Sequence, residues 1–443
     1  MNLINTVTTE TDAVALFGEG SMLASMWRSA KANADLGLPI DVIAIAPGAG
    51  VAATSAVVVS MTGGTLGSNG EVPLWIGNQR ISVGAVSTDT PTTLAAKIAA
   101  AVNAAVKLPV TAAAAVATVT LTCRWVGLSG NDISVVSQFY QDDKLPAGLT
   151  LTIPAMSGGT VSPDVTPVIV AMAGNRYTEI VCPFTDSTNL GLLEAEMYTR
   201  WLQNNMQDGA IVNAIRGTEG ANTTFLNARN SAHVHTIVTT KDITSPWDTA
   251  AMAGALIESM AAIDPALPHT GALLVGYLGP RVGDDFIVDQ KNNMLLAGGS
   301  PLEIRPDGTG GLLRMVTNYK KTAAGVPDRS MSELCWIKTM SYIRWMVVTE
   351  FQTKYRGYKI LQYATDPQPG QKIMTKELGQ EVMLGLYKQF TDVTLCQNPA
   401  YYQQTLVVEI DGPNGKLKIR DEPVIVTQHY QTEVTSAVVA GQV

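Results

Sequence analysis

The sequence predicts an α/β core, a mixed sheet with helices, that carries an inserted β-rich α+β domain and ends in a C-terminal hairpin and extended strand arm. Three observations predict it. From Arg176 to Thr240 strand and helix patterns alternate, which reads as α/β layers. From about Val51 to Thr160 the composition shifts to Thr, Val, Ala and Gly with strand-like runs. From Pro423 to Val439 the chain is β-branched and polar-alternating, with no later strand to pair with.

Taken in order, residues 13–34 read as a helix with Met22, Leu23, Met26, Trp27 and Ala30 on one face and Ser21 as N-cap. Asp41–Ala46 is a short apolar strand. In the β-rich block, Gly77-Asn78 marks a hairpin within Val72–Val86. Thr90-Pro91 opens a helix whose stripe is Leu94, Ile98, Val102 and Ala105. Strands are expected at Ala117–Trp125, Asp132–Phe139 and Leu149–Ile153, and Pro154 with Gly158-Gly159 closes the block.

In the central stretch, Tyr177–Cys182 is a strand stopped by Pro183. Leu193, Met197 and Trp201 make an apolar stripe on a helix over Asn189–Asn204, and Gly209–Ile215 and His233–Thr240 are further strands. Ser245-Pro246 starts a helix to Ile263, Gly271–Leu278 reads as a strand, Phe286–Leu296 as a helix and Leu312–Tyr319 as strand-like. Ser330 and Glu333 have capping-box spacing and are expected to open the longest helix, to about Tyr355. Leu378, Val382, Leu386 and Phe390 define a helix over Met374–Phe390. Thr405–Ile410 and Lys416–Arg420 flank the turn DGPNG. The resulting divisions are 1–50 as the N-terminal part of the core, 51–160 as the inserted peripheral domain, 161–400 as the core proper and 401–443 as hairpin and arm.

Only 15% of the residues are Asp, Glu, Lys or Arg, against roughly 25% in ordinary soluble proteins. A large neutral surface fits either a plain large domain or a protein that hides its surface in permanent contacts with other copies. The net charge of −8 and the lack of a basic block argue against nucleic-acid binding. The four cysteines, Cys123, Cys182, Cys335 and Cys396, have no zinc or redox spacing and read as buried free thiols. No apolar run is long enough to span a membrane, and no signal-peptide pattern opens the sequence.

Two patterns invite a chemical reading. Gly48–Ala53 fits GxGxxA after a strand, as in dinucleotide-binding folds, but a strand-like run follows where the fold needs a helix. An interdomain linker is the competing reading. His233 and His235 share one face of a strand, as two metal ligands would, or as a hydrogen-bonded polar pair would. No Walker motif or nucleophile elbow occurs. The expectation is no catalytic set, no cofactor and no metal.

Several collinear strings resemble the contractile tail sheath proteins of Mu-like phages: ALFGEGSMLASM at 15–26, VPLWIGNQRISV at 72–83, the run from Leu108 to Val135, LTIPAMSGGT at 151–160, IVCPFTD at 180–186 and FLNARNSAHV at 225–234. The likeness extends over roughly residues 13–395. The segment after Thr405 does not match string for string, and 311–328 matches loosely. The family also has a preceding segment of about 50 residues that this sequence does not show.

The resemblance implies a structural subunit that stacks as hexameric rings around a tail tube and contracts to drive the tube through the host envelope. Implied partners are further copies of the chain, the tube protein, the baseplate and the tail terminator, with no direct nucleic acid and no membrane insertion. The implied place is the virion tail, after assembly in the host cytoplasm. Val424, Val426, Gln428, Tyr430 and Val434 are the candidate inter-subunit arm residues, because an unpaired strand invites pairing with another sheet. The alternatives are an NAD-dependent oxidoreductase built on Gly48–Ala53, and a self-assembling tube component that does not contract.

Overall fold

The computed structural model describes residues 2–34, 37–362, 370–430 and 432–435. Its elements fall into two units, Met1–Ala262 with His269–Ile337, and Ile263–Pro268 with Lys338–Val443.

The first unit opens with β1 (Ile4–Thr6), α1 (Glu10–Phe17), α2 (Met22–Asn33) and β2 (Asp41–Ile43), and β1 pairs antiparallel with β2. The single helix expected over 13–34 is two. Gly18 and Gly20 hold φ of 82° and 70°, which L side chains avoid, and a Cβ on Gly20 would lie 2.5 Å from the Leu108 carbonyl. Ser21 caps α2 as expected, its hydroxyl accepting from the Ala24 N–H at 3.2 Å.

The β-rich segment comprises β3 (Thr54–Met61), β4 (Gly70–Ile76), β5 (Gln79–Ala85), α3 (Pro91–Ala104), β6 (Val110–Ala115), β7 (Thr118–Cys123), β8 (Val135–Ser137) and β9 (Leu149–Thr152). They form a sheet of order β6-β7-β3-β9 and a second of order β5-β4-β8. Strand β3 alternates strictly, burying Ser55, Val57 and Val59, so one face meets the core and the other is solvated. The β4–β5 hairpin turns at Gly77-Asn78, with Ile76 opposite Gln79. Thr90 and Thr93 make the reciprocal cap of α3, with Pro91 in its first turn. The strand expected over Asp132–Phe139 shortens to β8, because Leu128–Asp132 winds into a 3₁₀ turn. The core under this segment also takes in Met26 and Ala30 of α2.

The central stretch supplies α4 (Thr166–Met172), β10 (Glu179–Val181), α5 (Ser187–Trp201), β11 (Ala210–Arg216), α6 (Glu219–Asn227), β12 (Val234–Thr239), α7 (Pro246–Ile263), α8 (Val288–Leu296), β13 (Gly299–Ile304) and β14 (Gly310–Leu312). The sheet order is β10-β11-β12-β13-β14, parallel through β13 and antiparallel at β14. Strand β12 is buried throughout, as a central parallel strand covered on both faces must be. Two expectations fail here. Gly271–Leu278 is a turning segment with one bridge, Leu273 to Gly311, because Gly271 and Gly276 sit at positive φ. Leu312–Tyr319 leaves the sheet after Leu312: Val316 bridges Glu333 outside it, and the segment returns to the sheet through the Asn318 N–H, which donates to the Val234 carbonyl of β12 at 2.8 Å.

The second unit holds most of α9 (Leu334–Lys354), then β15 (Lys359–Ile360), β16 (Ile373–Met374), α10 (Lys376–Asp392), α11 (Pro399–Thr405), β17 (Val407–Asp411) and β18 (Lys416–Arg420). The Ser330–Glu333 capping box does not form. Helix α9 starts at Leu334, the Glu333 backbone bridges to Val316, and its carboxylate accepts from Arg314. Val382, Leu386 and Phe390 bury one stripe of α10 against Tyr402 and Val408, the core of this unit.

Candidate assembly surfaces

The candidate arm residues lie in the second unit. Val424 is tied at both backbone groups: its N–H donates to the Tyr387 hydroxyl at 3.2 Å, and its carbonyl accepts from the Gln397 N–H at 2.8 Å. The Val426 N–H donates to the Leu395 carbonyl at 3.1 Å, and Ile425 bridges Cys396. Ile425 and Val426 pack on the core that contains Leu386 and Phe390. Gln428 donates from Nε2 to the Ala266 carbonyl at 2.9 Å.

The character of the segment then changes. Past Gln428, Tyr430 and Val434 lie outside any helix or strand. Val434 is 78% exposed. Residues 431 and 436–443 lie outside the described residues. The segment thus has a root, residues 424–428, and a distal part. Nothing in the sequence marks that division, since valines alternate through both halves; the root is selected by Tyr387 and Leu395, which the fold brings beneath it.

The aromatic bed under the root is unusually ordered. Tyr387 and Tyr402 stack with ring centroids 3.6 Å apart and planes 7° apart. The Tyr387 hydroxyl donates to the Gln397 carbonyl at 2.7 Å, and burial pushes its phenol up to about 12. Beside it, β17 and β18 form a two-stranded hairpin with no further strand on either edge among the described residues. One face packs on α10, where Gly379 leaves room for Val408 and Leu417.

The two chemical patterns resolve into packing. Gly48–Ala53 is followed by β3, not by the helix whose N-terminus a dinucleotide-binding fold places after this loop. Its glycines are required by a neighbouring chain: a Cβ on Gly50 would lie 1.8 Å from the Thr160 carbonyl oxygen, and one on Gly48 2.9 Å from that of Ser162. The two histidines separate. His233 packs against Trp201 in a tilted contact with centroids 5.2 Å apart, while buried His235 places Nε2 2.6 Å from Glu179 Oε1. Among the described residues no group of three His, Cys, Asp or Glu side chains is placed to hold a metal.

The four cysteines are buried and free. Burial pushes the thiols of Cys123 and Cys396 up to about 11 and that of Cys182 up to about 12, so none of these three is an activated nucleophile. No helix among the described residues is long and apolar enough to cross a membrane.

A concavity lies wholly in the first unit, a groove of about 1010 Å³ between β2 and β10. Met22, Met26, Ile43, Val165, Val181 and Gly254 line it. Sequence reasoning missed it, because its walls come from segments some 140 positions apart and no local pattern marks a gap between strands.

Over 403 residues, 91% of its length, the chain is 32% identical to the Mu-like prophage FluMu tail sheath protein of Haemophilus influenzae, and the match covers 82% of that protein. A sheath tail protein of Listeria innocua has a similar fold, with a TM-score of 0.52 at 10% identity over 96% of this chain and 89% of that one. A sheath tail protein of Desulfitobacterium hafniense aligns with a TM-score of 0.49 at 10% identity, over 96% and 92% of the two chains. No family model matches.

Proposed function

The chain belongs to the Mu-like phage tail sheath family, and we propose that it polymerises as stacked hexameric rings around a tail tube and contracts to drive that tube through the host envelope. Members of this family are structural virion components rather than enzymes, and the chain is accordingly a component of the tail. The observation that carries the proposal is identity to a tail sheath protein along nearly the whole chain.

A contractile sheath needs rigid subunits, bistable interfaces between them and links that survive the change of interface. The five-stranded sheet and its helices supply a rigid body, and the low charge density suits large permanent contacts. The link proposed is the distal part of the C-terminal segment, including Tyr430 and Val434, pairing as a strand with a sheet edge of a neighbouring copy. Val424, Val426 and Gln428 root it in its own subunit. The β-rich segment 51–160 is the peripheral part of the subunit in this reading, and the tube protein, the baseplate and the tail terminator are its heterologous partners, met during assembly in the host cytoplasm.

Negative-stain microscopy of the purified protein tests polymerisation. Rings or striated tubes are expected; a compact particle unaffected by concentration would overturn the proposal.

A further inference from the structure

Strand β6 forms one edge of the β6-β7-β3-β9 sheet, and among the described residues its one ladder partner is β7. From Val110 to Cys123 the two strands and their turn read VTAAAAVATVTLTC, with no charged residue, no Gly and no Pro. The nearest charges in sequence, Lys107 and Arg124, lie past the two ends. On the open face, exposed Thr111, Ala113 and Ala115 stand opposite Thr122, Thr120 and Thr118. An uncharged edge rich in Val and Thr invites pairing with another chain. The usual protections are Lys, Pro or a bulge. Strand β6 has none of them, since its register with β7 runs unbroken from Val110 to Ala115.

The phase of the ladder decides which backbone groups of β6 face outward. The Arg124 N–H donates to the Pro109 carbonyl at 2.9 Å. With Val110 opposite Cys123, the residues that bond to β7 are therefore Thr111, Ala113 and Ala115, and Val110, Ala112 and Ala114 turn their N–H and C=O away. Asn103, in the last turn of α3, folds its carboxamide onto the middle one of these three. The Ala112 N–H donates to Asn103 Oδ1 at 2.9 Å, and Asn103 Nδ2 donates to the Ala112 carbonyl at 2.8 Å. A carboxamide carries the same donor and acceptor as a peptide unit, so Asn103 takes the place of a residue in a further strand. The same clamp joins separate segments elsewhere, Asn131 on Gly159 and Asn33 on Val275. At Ala112 it lies at the exposed surface, where water satisfies backbone groups equally well. Solvation alone does not call for it.

We propose that Asn103 is an autoinhibitory cap on a strand-pairing edge, and that the partner it excludes is the β6 edge of a second copy of this chain. The segment is complementary to itself. Two β6 strands placed antiparallel about Ala112 set Val110 of each copy opposite Ala114 of the other, and Ala112 opposite its own counterpart. That central pair exchanges two N–H···O bonds through the same two groups that Asn103 holds. Because no charge lies between Leu108 and Cys123, neither copy has to bury an ion from these strands. The pairing is isologous and closes on itself, so it makes a dimer and leads to no ring or tube. Asn103 keeps that route shut. This inference concerns one edge of the subunit and does not depend on the assembly reading.

The test compares the unchanged chain, Asn103→Ala, and Asn103→Ala combined with Ala114→Lys. Hydrogen exchange at the Ala112 amide and sedimentation velocity are followed over a concentration series. Asn103→Ala is expected to leave the urea midpoint nearly unchanged and to speed Ala112 exchange in dilute solution by about tenfold or more. As its concentration rises, that exchange is expected to slow again while a dimer appears beyond any association of the unchanged chain. Ala114→Lys puts a charge on the open edge. It is expected to abolish the dimer and the concentration-dependent slowing, with dilute exchange still fast. Unchanged Ala112 exchange in Asn103→Ala overturns the cap. Fast exchange without an excess dimer overturns the latent edge, and a dimer that survives Ala114→Lys overturns β6 as the pairing surface. A lowered urea midpoint with no dimer makes Asn103 a packing residue and overturns the proposal as well.

Discussion

Tyr177, two residues before β10, and Asp41 of β2 meet at the first unit's groove, the phenol hydroxyl donating to the carboxylate at 3.2 Å between strands that share no ladder. The contact joins the start of the parallel sheet to the N-terminal strand pair. It is solvent-accessible, so Tyr177→Phe is expected to cost only about 0.5–1 kcal/mol in urea unfolding. A loss several times larger would mean that the groove collapses without it.

The C-terminal segment divides at Gln428. A chain ending at Gln428 is expected to keep its unfolding midpoint and to lose tube formation in sedimentation. A chain ending at Pro423 is expected to be destabilised as well, because Ile425 and Val426 leave the core and each buried aliphatic side chain contributes about 1.5–3 kcal/mol. Tubes from the chain that ends at Gln428 would show that the link lies elsewhere.

The Asp248 carboxyl of α7 is buried and accepts from the Ser25 hydroxyl at 2.9 Å and the Ser29 hydroxyl at 3.0 Å, both of α2. Burial pushes it up to about 6 from an ordinary value of 3.8. The folded state therefore favours the protonated form. The associated stability is complete below about pH 4 and is lost as pH rises through 6. Asp248→Asn is expected to remove this slope, and at pH 7.5 to unfold with a free energy higher by up to about 3 kcal/mol, read from urea titrations across pH 4–8. An unchanged slope would place the titration on another group.

Gly50 and Gly191 separate two uses of glycine. A Cβ on Gly50 would lie 1.8 Å from a backbone carbonyl, so Gly50→Ala is expected to destabilise by more than about 2 kcal/mol. Gly191 sits inside α5 with nothing within 4 Å of such a Cβ, so Gly191→Ala is expected to stabilise by roughly 0.4–1 kcal/mol. Titration with NAD is expected to give no saturable signal in either variant or in the unchanged chain. Saturable binding to the unchanged chain that Gly50→Ala abolishes would restore the dinucleotide reading.

Local chemistry explains what was legible in the sequence. A β-branched, Gly-stopped run announced β3, Thr90-Pro91 announced α3, and the apolar run from Gly209 to Ile215 announced a strand buried on both faces. The same kind of signal misled where distant partners competed for the residue. Glu333 has capping-box spacing, yet Arg314 takes its carboxylate and Val316 its backbone. Gly271–Leu278 has the composition of a strand but turns at two positive-φ glycines. Asn398-Pro399, a cap followed by Pro, is a readable start for α11 just ahead of the strand expected from Thr405. The histidine pair was visible, but its division between Trp201 and Glu179 was not, because both partners come from other elements. The groove is the extreme case, a gap defined by two edges that only the folded chain brings together.

The proposed sheath is a polymer of rigid subunits with two interface states. Cryo-electron microscopy of assembled tubes, before and after triggering with mild denaturant, tests it most directly. Six-fold rings are expected in both states, with a shorter and wider tube after triggering and the five-stranded sheet unchanged within each subunit. Tubes of one fixed diameter and rise under every condition, or rings of another symmetry, would contradict it.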